Sequence, residues 1–153
     1  MPGPLEGIEV LDISRDLPGA YACMLLGDMG AEVTKVESPE GDPLRSEPSF
    51  RFWNRGRGSV AVSIESPHGR QVLERLIAAS DVLVDNFSPG TLERLGLDFE
   101  TVAEIASARG FVYLSLTGFG TSGPWGGHRS YGAQLADLAG LSALTGTRGG
   151  DGE

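Results

Sequence analysis

The sequence holds one cysteine, Cys23, and two histidines, His68 and His128. A lone thiol allows no disulfide within the chain, which fits a reducing cytoplasm. The histidines lie far apart and near no cysteine, so no metal constellation is expected. No G-x-S-x-G elbow occurs, and one cysteine with two histidines argues for no nucleophilic triad. Positive charge is also scarce: 12 Lys and Arg stand against 21 Asp and Glu, a net charge of −9. That sign speaks against a general nucleic-acid or membrane-surface binder. It leaves room for an anionic small ligand, because a few placed arginines set a local field. No apolar run reaches the ~18 residues of a spanning helix. The opening MPGPLEG has neither a basic region nor an apolar run, so no secretory signal is expected.

Glycine and proline are plentiful, at 23 and 9 in 153 residues, and the glycines fall between elements rather than in repeats. They read as tight loops in one soluble domain, since 40% of residues are apolar and 22% charged. Ile8, Val10 and Leu11 make a strand ending at Asp12. The stretch 14–19, with Ser14, Arg15, Asp16, Pro18 and Gly19, reads as a loop. Tyr21, Met24, Leu25, Asp28 and Met29 follow at helical spacing, with Gly30 as the stop, and Val33 and Val36 begin a second strand. Such a βαβ unit places the 14–19 loop at the carboxyl end of its first strand, where open sheets bind ligands.

Residues 38–57 read as a polar loop closing on Phe50, Phe52 and Trp53 beside Arg51, Asn54, Arg55 and Arg57. Aromatics mixed with arginines either stack on a ligand ring and hold its phosphates, or anchor the loop on the core. Alternation over 59–64 gives a third strand. Ser66-Pro67 caps a helix with Val72, Leu73, Leu76 and Ile77 inside, and Arg70, Glu74 and Arg75 toward water. Val82, Leu83 and Val84 form a buried strand running into Asp85, Asn86 and Phe87. A short helix with Leu92 and Leu95 stops at Gly96. Asp98 caps a further helix running to Gly110, and 111–116 is the fifth strand. One apolar helix holds Leu135, Leu138, Leu141 and Leu144, and the tail 146–153 is expected to be mobile. Regular alternation predicts an α/β fold with a doubly wound, mainly parallel Rossmann-like sheet. The loops 14–19, 38–57, 86–90 and 117–131 should meet on one rim.

Gly118, Gly120 and Gly123 match G-x-G-x-x-G, but the motif follows the last strand and is followed by Pro124, Trp125, Gly126 and Gly127 rather than a helix. It is therefore no nicotinamide fingerprint. Asp12 and Asp85, at strand ends, are expected to cap loops.

The runs PLEGIEVLDISR, GDMGAEVTKVESPEGDPLR, WNRGRGSVAVSIESPHGR, ASDVLVDNFSPGTLERLGL and YLSLTGFGTSGP resemble the N-terminal part of the family III coenzyme A transferases. That family includes formyl-CoA transferase and α-methylacyl-CoA racemase. The resemblance covers nearly the whole chain, 1–153, as the N-terminal part of a larger CoA-binding domain. It implies a Rossmann-like domain whose rim holds coenzyme A or acyl-CoA. It carries CoA contacts to Asp16 and Leu17 after the first strand, and to Trp53 and Arg57 before the third. Asn86 and Phe87 follow the fourth strand, Arg94 stands on the next helix, and Arg129 and Tyr131 match a basic-x-Tyr segment near the thioester. Ser38 stands where formyl-CoA transferase has an arginine, and Gly132 replaces a common acidic residue. Tyr131, where the racemase branch has histidine, favours transfer over racemisation.

The reaction implied is transfer of CoA between an acyl-CoA and a carboxylic acid through an aspartyl anhydride. The resemblance places that aspartate beyond Glu153, with Asp137 and Asp151 no substitutes, so this portion is expected to be inactive alone. Implied partners are the remaining C-terminal portion or a partner subunit, and a second copy in an interlocked dimer. The alternatives are a stand-alone or degenerate CoA- or nucleotide-binding subunit, the racemase branch, and a fragment of a nicotinamide-dependent oxidoreductase.

Overall fold

Short strands and helices alternate in the order the sequence predicts. The computed structural model describes residues 3–106 and 110–145; the expected tail 146–153, with Asp151, lies outside the described residues. The chain divides into two compact units, Met1–Leu116 and Thr117–Glu153.

In the first unit β1 (Glu9–Asp12), β2 (Glu32–Glu37), β3 (Gly58–Ala61), β4 (Val82–Asp85) and β5 (Val112–Ser115) form one sheet of order β3-β2-β1-β4-β5. Every neighbouring pair is parallel. Strand parity sorts the core. Leu11, Val36 and Leu83 face the layer of α3 (Pro67–Ala79) and α5 (Phe99–Ile105), where Leu73, Ile77 and Val102 complete a buried cluster. Val10, Val33 and Val84 face α1 (Asp16–Asp28), where Cys23 is buried among them. Helices thus cover both faces, as a parallel sheet requires.

The helix starts follow local chemistry. Ser66 Oγ accepts the Gly69 N–H at 3.0 Å with Pro67 at the first helical position, as read from the sequence. Asp98 Oδ1 accepts the Thr101 N–H at 2.8 Å. Arg70 makes the expected bond to Glu74 at 2.9 Å, yet it does not simply face water. Its guanidinium also donates to the carbonyls of Leu95 and Gly96, joining α3 to the end of the short helix α4 (Thr91–Arg94).

Three expectations change. The stretch 16–19 is not loop but the first turn of α1. Pro18 is tolerated there because first-turn N–H groups have no helical partner to lose. Gly19 allows the turn to lie on the end of β1, since a Cβ there would come 1.8 Å from Ser14 Oγ. Within 38–57 the polar chain makes a 3₁₀ turn, Pro43–Ser46, and the aromatic run makes α2 (Phe50–Trp53). In the second unit the single apolar helix is two, α6 (Gly132–Leu138) and α7 (Leu141–Leu144), because Gly140 turns left-handed at φ +72°. Among the described residues no helix is long and apolar enough to cross a membrane.

Candidate functional site

From β1 the chain crosses through α1 to β2 on one side, while β4 flanks β1 on the other. The carboxyl ends of β1 and β4 therefore border the crevice where the winding reverses, the ligand position of open α/β sheets. The ladder continues past the strands there, Ile13 N–H donating to the Val84 carbonyl at 2.9 Å. Asn86 then takes the place of a neighbouring backbone. Its Oδ1 accepts the Arg15 N–H at 2.8 Å, and its amide nitrogen donates to the Arg15 carbonyl at 2.5 Å. The two aspartates at the strand ends make the same local turn: Asp12 Oδ1 accepts Ser14 N–H and Asp85 Oδ1 accepts Phe87 N–H, each at 2.9 Å. Burial holds the Asp85 carboxyl above its ordinary range, against the pull of the Phe87 N–H.

Beneath this crevice lies a buried ionic group that sequence reasoning missed. Lys35, 2% exposed, puts Nζ 3.2 Å from Asp42 Oδ2 and 3.8 Å from Asp12 Oδ2, and donates to the Ser14 carbonyl at 3.1 Å. Arg57 donates to the same Asp12 oxygen at 2.7 Å and to the carbonyls of Ala20 (2.8 Å) and Trp53 (2.9 Å). Two cations and two carboxylates thus cancel in a dry place. Cys23 borders them, and its thiol is pushed up to about 12 by burial, aided by the Asp12 charge. The available signal was parity: in EVTKVE, Lys35 shares the inward face of Val33.

Above the group opens a cavity of about 430 Å³, walled by Ser14 and Arg15 after β1, Glu37 to Pro43 after β2, Val62 to Glu65 after β3, and Phe87 after β4. The segment 62–65 was not among the loops read as rim. Glu37 takes Arg45 in a two-point bond, at 2.6 and 2.5 Å, and accepts the Asp42 N–H at 2.9 Å. Burial raises the Glu37 carboxyl, but Arg45 and that N–H outweigh it and hold it below its usual range. Asp42 in turn caps the 3₁₀ turn through Leu44 N–H at 2.8 Å.

The second unit has its own cavity, about 410 Å³, lined by Phe119, Trp125, His128, Arg129, Gln134, Asp137 and Leu138. Phe119 and Trp125 pack edge to face with centroids 5.3 Å apart. Among the described residues no cluster of three or more His, Cys, Asp or Glu could hold a metal ion.

The family model described as CoA-transferase family III matches residues 5–152. The chain belongs to CoA-transferase family III. Human succinyl-CoA:glutarate CoA-transferase is 40% identical over 158 residues, covering 97% of this chain and 36% of that protein. Succinyl-CoA–D-citramalate CoA-transferase of Chloroflexus aurantiacus is 34% identical, over 95% of this chain and 38% of its own. This chain therefore spans little more than a third of the length of these curated relatives. A CAIB/BAIF family protein from Brucella suis superposes with a TM-score of 0.92 at 34% identity, covering 100% of this chain and 43% of that one.

The structure places the nine family-derived contact residues as follows. Phe87 lines the cavity, and Asn86 braces the segment beside it. Asp16 and Leu17 are exposed at the start of α1, Asp16 in the left-handed region at φ +60°. Trp53 is half-buried, edge-on to Tyr21 and Phe52 with centroids at 5.7 and 4.8 Å. Arg57 is buried, its side chain 3% exposed and turned onto Asp12. Arg94 is exposed on α4 and donates to Thr91 Oγ1 at 3.1 Å. In the second unit Arg129 lines the smaller cavity, and Tyr131, 70% exposed, precedes α6.

Proposed function

We propose that this chain carries the coenzyme A site of a family III transferase, one that moves CoA between an acyl-CoA and a carboxylic acid. The observation that carries this reading is the cavity at the strand tips, beside the crevice that Asn86 staples shut. On this reading Asp16, Leu17, Trp53, Asn86 and Phe87 touch the nucleotide end. Arg57 acts from below by fixing Asp12 and the turn above it. Arg94 serves the rest of the carrier. The relatives named for succinyl-CoA and glutarate or citramalate support a dicarboxylic acid as acceptor. On this reading attack on the thioester falls to an aspartate that the family resemblance implies beyond Glu153. Asp12 and Asp85 are tied into their own turns and do not serve.

Calorimetric titration tests the reading. Coenzyme A binds saturably and NADH does not compete. Asn86→Ala frees the Arg15 backbone and weakens CoA about tenfold, equivalent to ~1.4 kcal/mol, while the far-ultraviolet circular dichroism stays unchanged. No heat with CoA, or NADH binding in its place, rejects the assignment.

A further inference from the structure

The walls of the strand-tip cavity are divided by charge. On the side of β1 and β4 stand Arg15 and Phe87, the guanidinium 5.7 Å from the ring centroid. On the side of β2 and β3 stand four carboxylates, Glu37, Glu40, Asp42 and Glu65. Arg45 and Lys35 answer Glu37 and Asp42. Glu40 and Glu65 are exposed and make no ion pair with any described residue. Arg15 is the only basic side chain among the described residues lining the cavity.

This arrangement bears on which sugar the cavity accepts. In doubly wound sheets an acidic residue near the end of the second strand receives the hydroxyls of an unmodified ribose, whereas a ribose phosphate is met by an arginine. Glu37 is the last residue of β2. The one arginine near it, Arg45, is committed to Glu37 by two bonds and lies over Phe50, 5.0 Å from the ring centroid. A phosphate dianion on this side would meet like charge from Glu40 and Glu65 with no uncommitted cation to offset it. Hydroxyls, as donors, suit a carboxylate-lined wall.

We propose that the β2/β3 side of the cavity receives the adenosine of the carrier at its 2′-hydroxyl and gains nothing from the 3′-phosphate, so that dephospho-CoA is at least as good a ligand as CoA. The proposal rests on the CoA-site reading above and adds a specificity to it. The diphosphate then lies toward Arg15.

The unaltered chain is titrated with CoA and with dephospho-CoA by calorimetry, at low and at moderate salt. The expected dissociation constants agree within about threefold, with CoA the weaker at low salt and the gap closing as salt screens the carboxylates. Replacing both exposed acids, Glu40→Lys with Glu65→Lys, raises the affinity for CoA relative to dephospho-CoA by about tenfold or more, and a ratio unchanged from that of the unaltered chain overturns the inference. CoA binding about tenfold tighter than dephospho-CoA to the unaltered chain overturns the inference and leaves the CoA site standing. Failure of both ligands to bind overturns the two together.

Discussion

Lys35 shows how much one side chain can organise. A lysine buried on an inner strand of a β-sheet loses its hydration, and only the Asp42 and Asp12 carboxylates and the Ser14 carbonyl replace it. Such a group adds little net stability against an apolar replacement of the whole set. Removing one member strands the others. Lys35→Met leaves Asp42 and part of Asp12 buried without their cation, and is expected to cost about 3 kcal/mol in urea unfolding, in the range for breaking a buried pair. Lys35→Met combined with Asp42→Leu should recover part of that loss. Glu37 belongs to the same scale. Its carboxyl is held below the ordinary value, so its contribution to stability is complete above about pH 4.3, the unfolded value, and is lost as pH falls through the folded one. Denaturation midpoints measured from pH 7 to 3 should fall in acid. Glu37→Gln should be weaker at pH 7 and show a flatter acid limb.

At the scale of elements, α1 has two unlike faces. Gly19, Ala20, Cys23 and Met24 are buried against the sheet, and Gly19 sets how closely the helix approaches β1. Gly19→Ala pushes the first turn off Ser14. It should destabilise the unit by about 1–3 kcal/mol, the cost of overpacking, and weaken CoA binding through displacement of the Arg15 segment. Suppression by Ser14→Gly, read in the same unfolding assay, would identify the clash as the cause. The opposite face carries Leu17, Tyr21, Leu25 and Met29 at four-residue intervals, each 41–47% exposed. An apolar stripe of this kind marks a surface meant to be covered. The chain is expected to self-associate in light scattering at micromolar concentration. Tyr21→Glu with Leu25→Glu should return it to the mass of one chain with its helical content intact. A monodisperse single chain before substitution would count against this.

Over the whole molecule, the sheet order decides where function can reside. Parallel strands wound outward from β1 bring the segments that follow β1, β2, β3 and β4 to one end, and the cavity forms among them. The reading of this chain as part of a transferase agrees with its spanning little more than a third of its curated relatives' length.

Alternation of strand and helix, the caps at Ser66 and Asp98, and the placing of Asn86 and Phe87 after β4 follow from the sequence alone, because each depends on neighbours within a few residues. The runs shared with family III transferases were legible for the same reason, as patterns along the chain. What only the tertiary structure decided depends on partners brought together by folding. Arg57, a CoA contact by the family resemblance, is spent on Asp12, 45 residues away. Lys35, one polar residue in the strand EVTKVE, is the centre of a buried group. The first turn of α1 was hidden behind Pro18 and Gly19, residues that interrupt a helix in isolation but begin one against a strand end. Periodicity reports which face of an element is buried. Which charges meet there is fixed by strand order and register, and these emerge only when the sheet assembles.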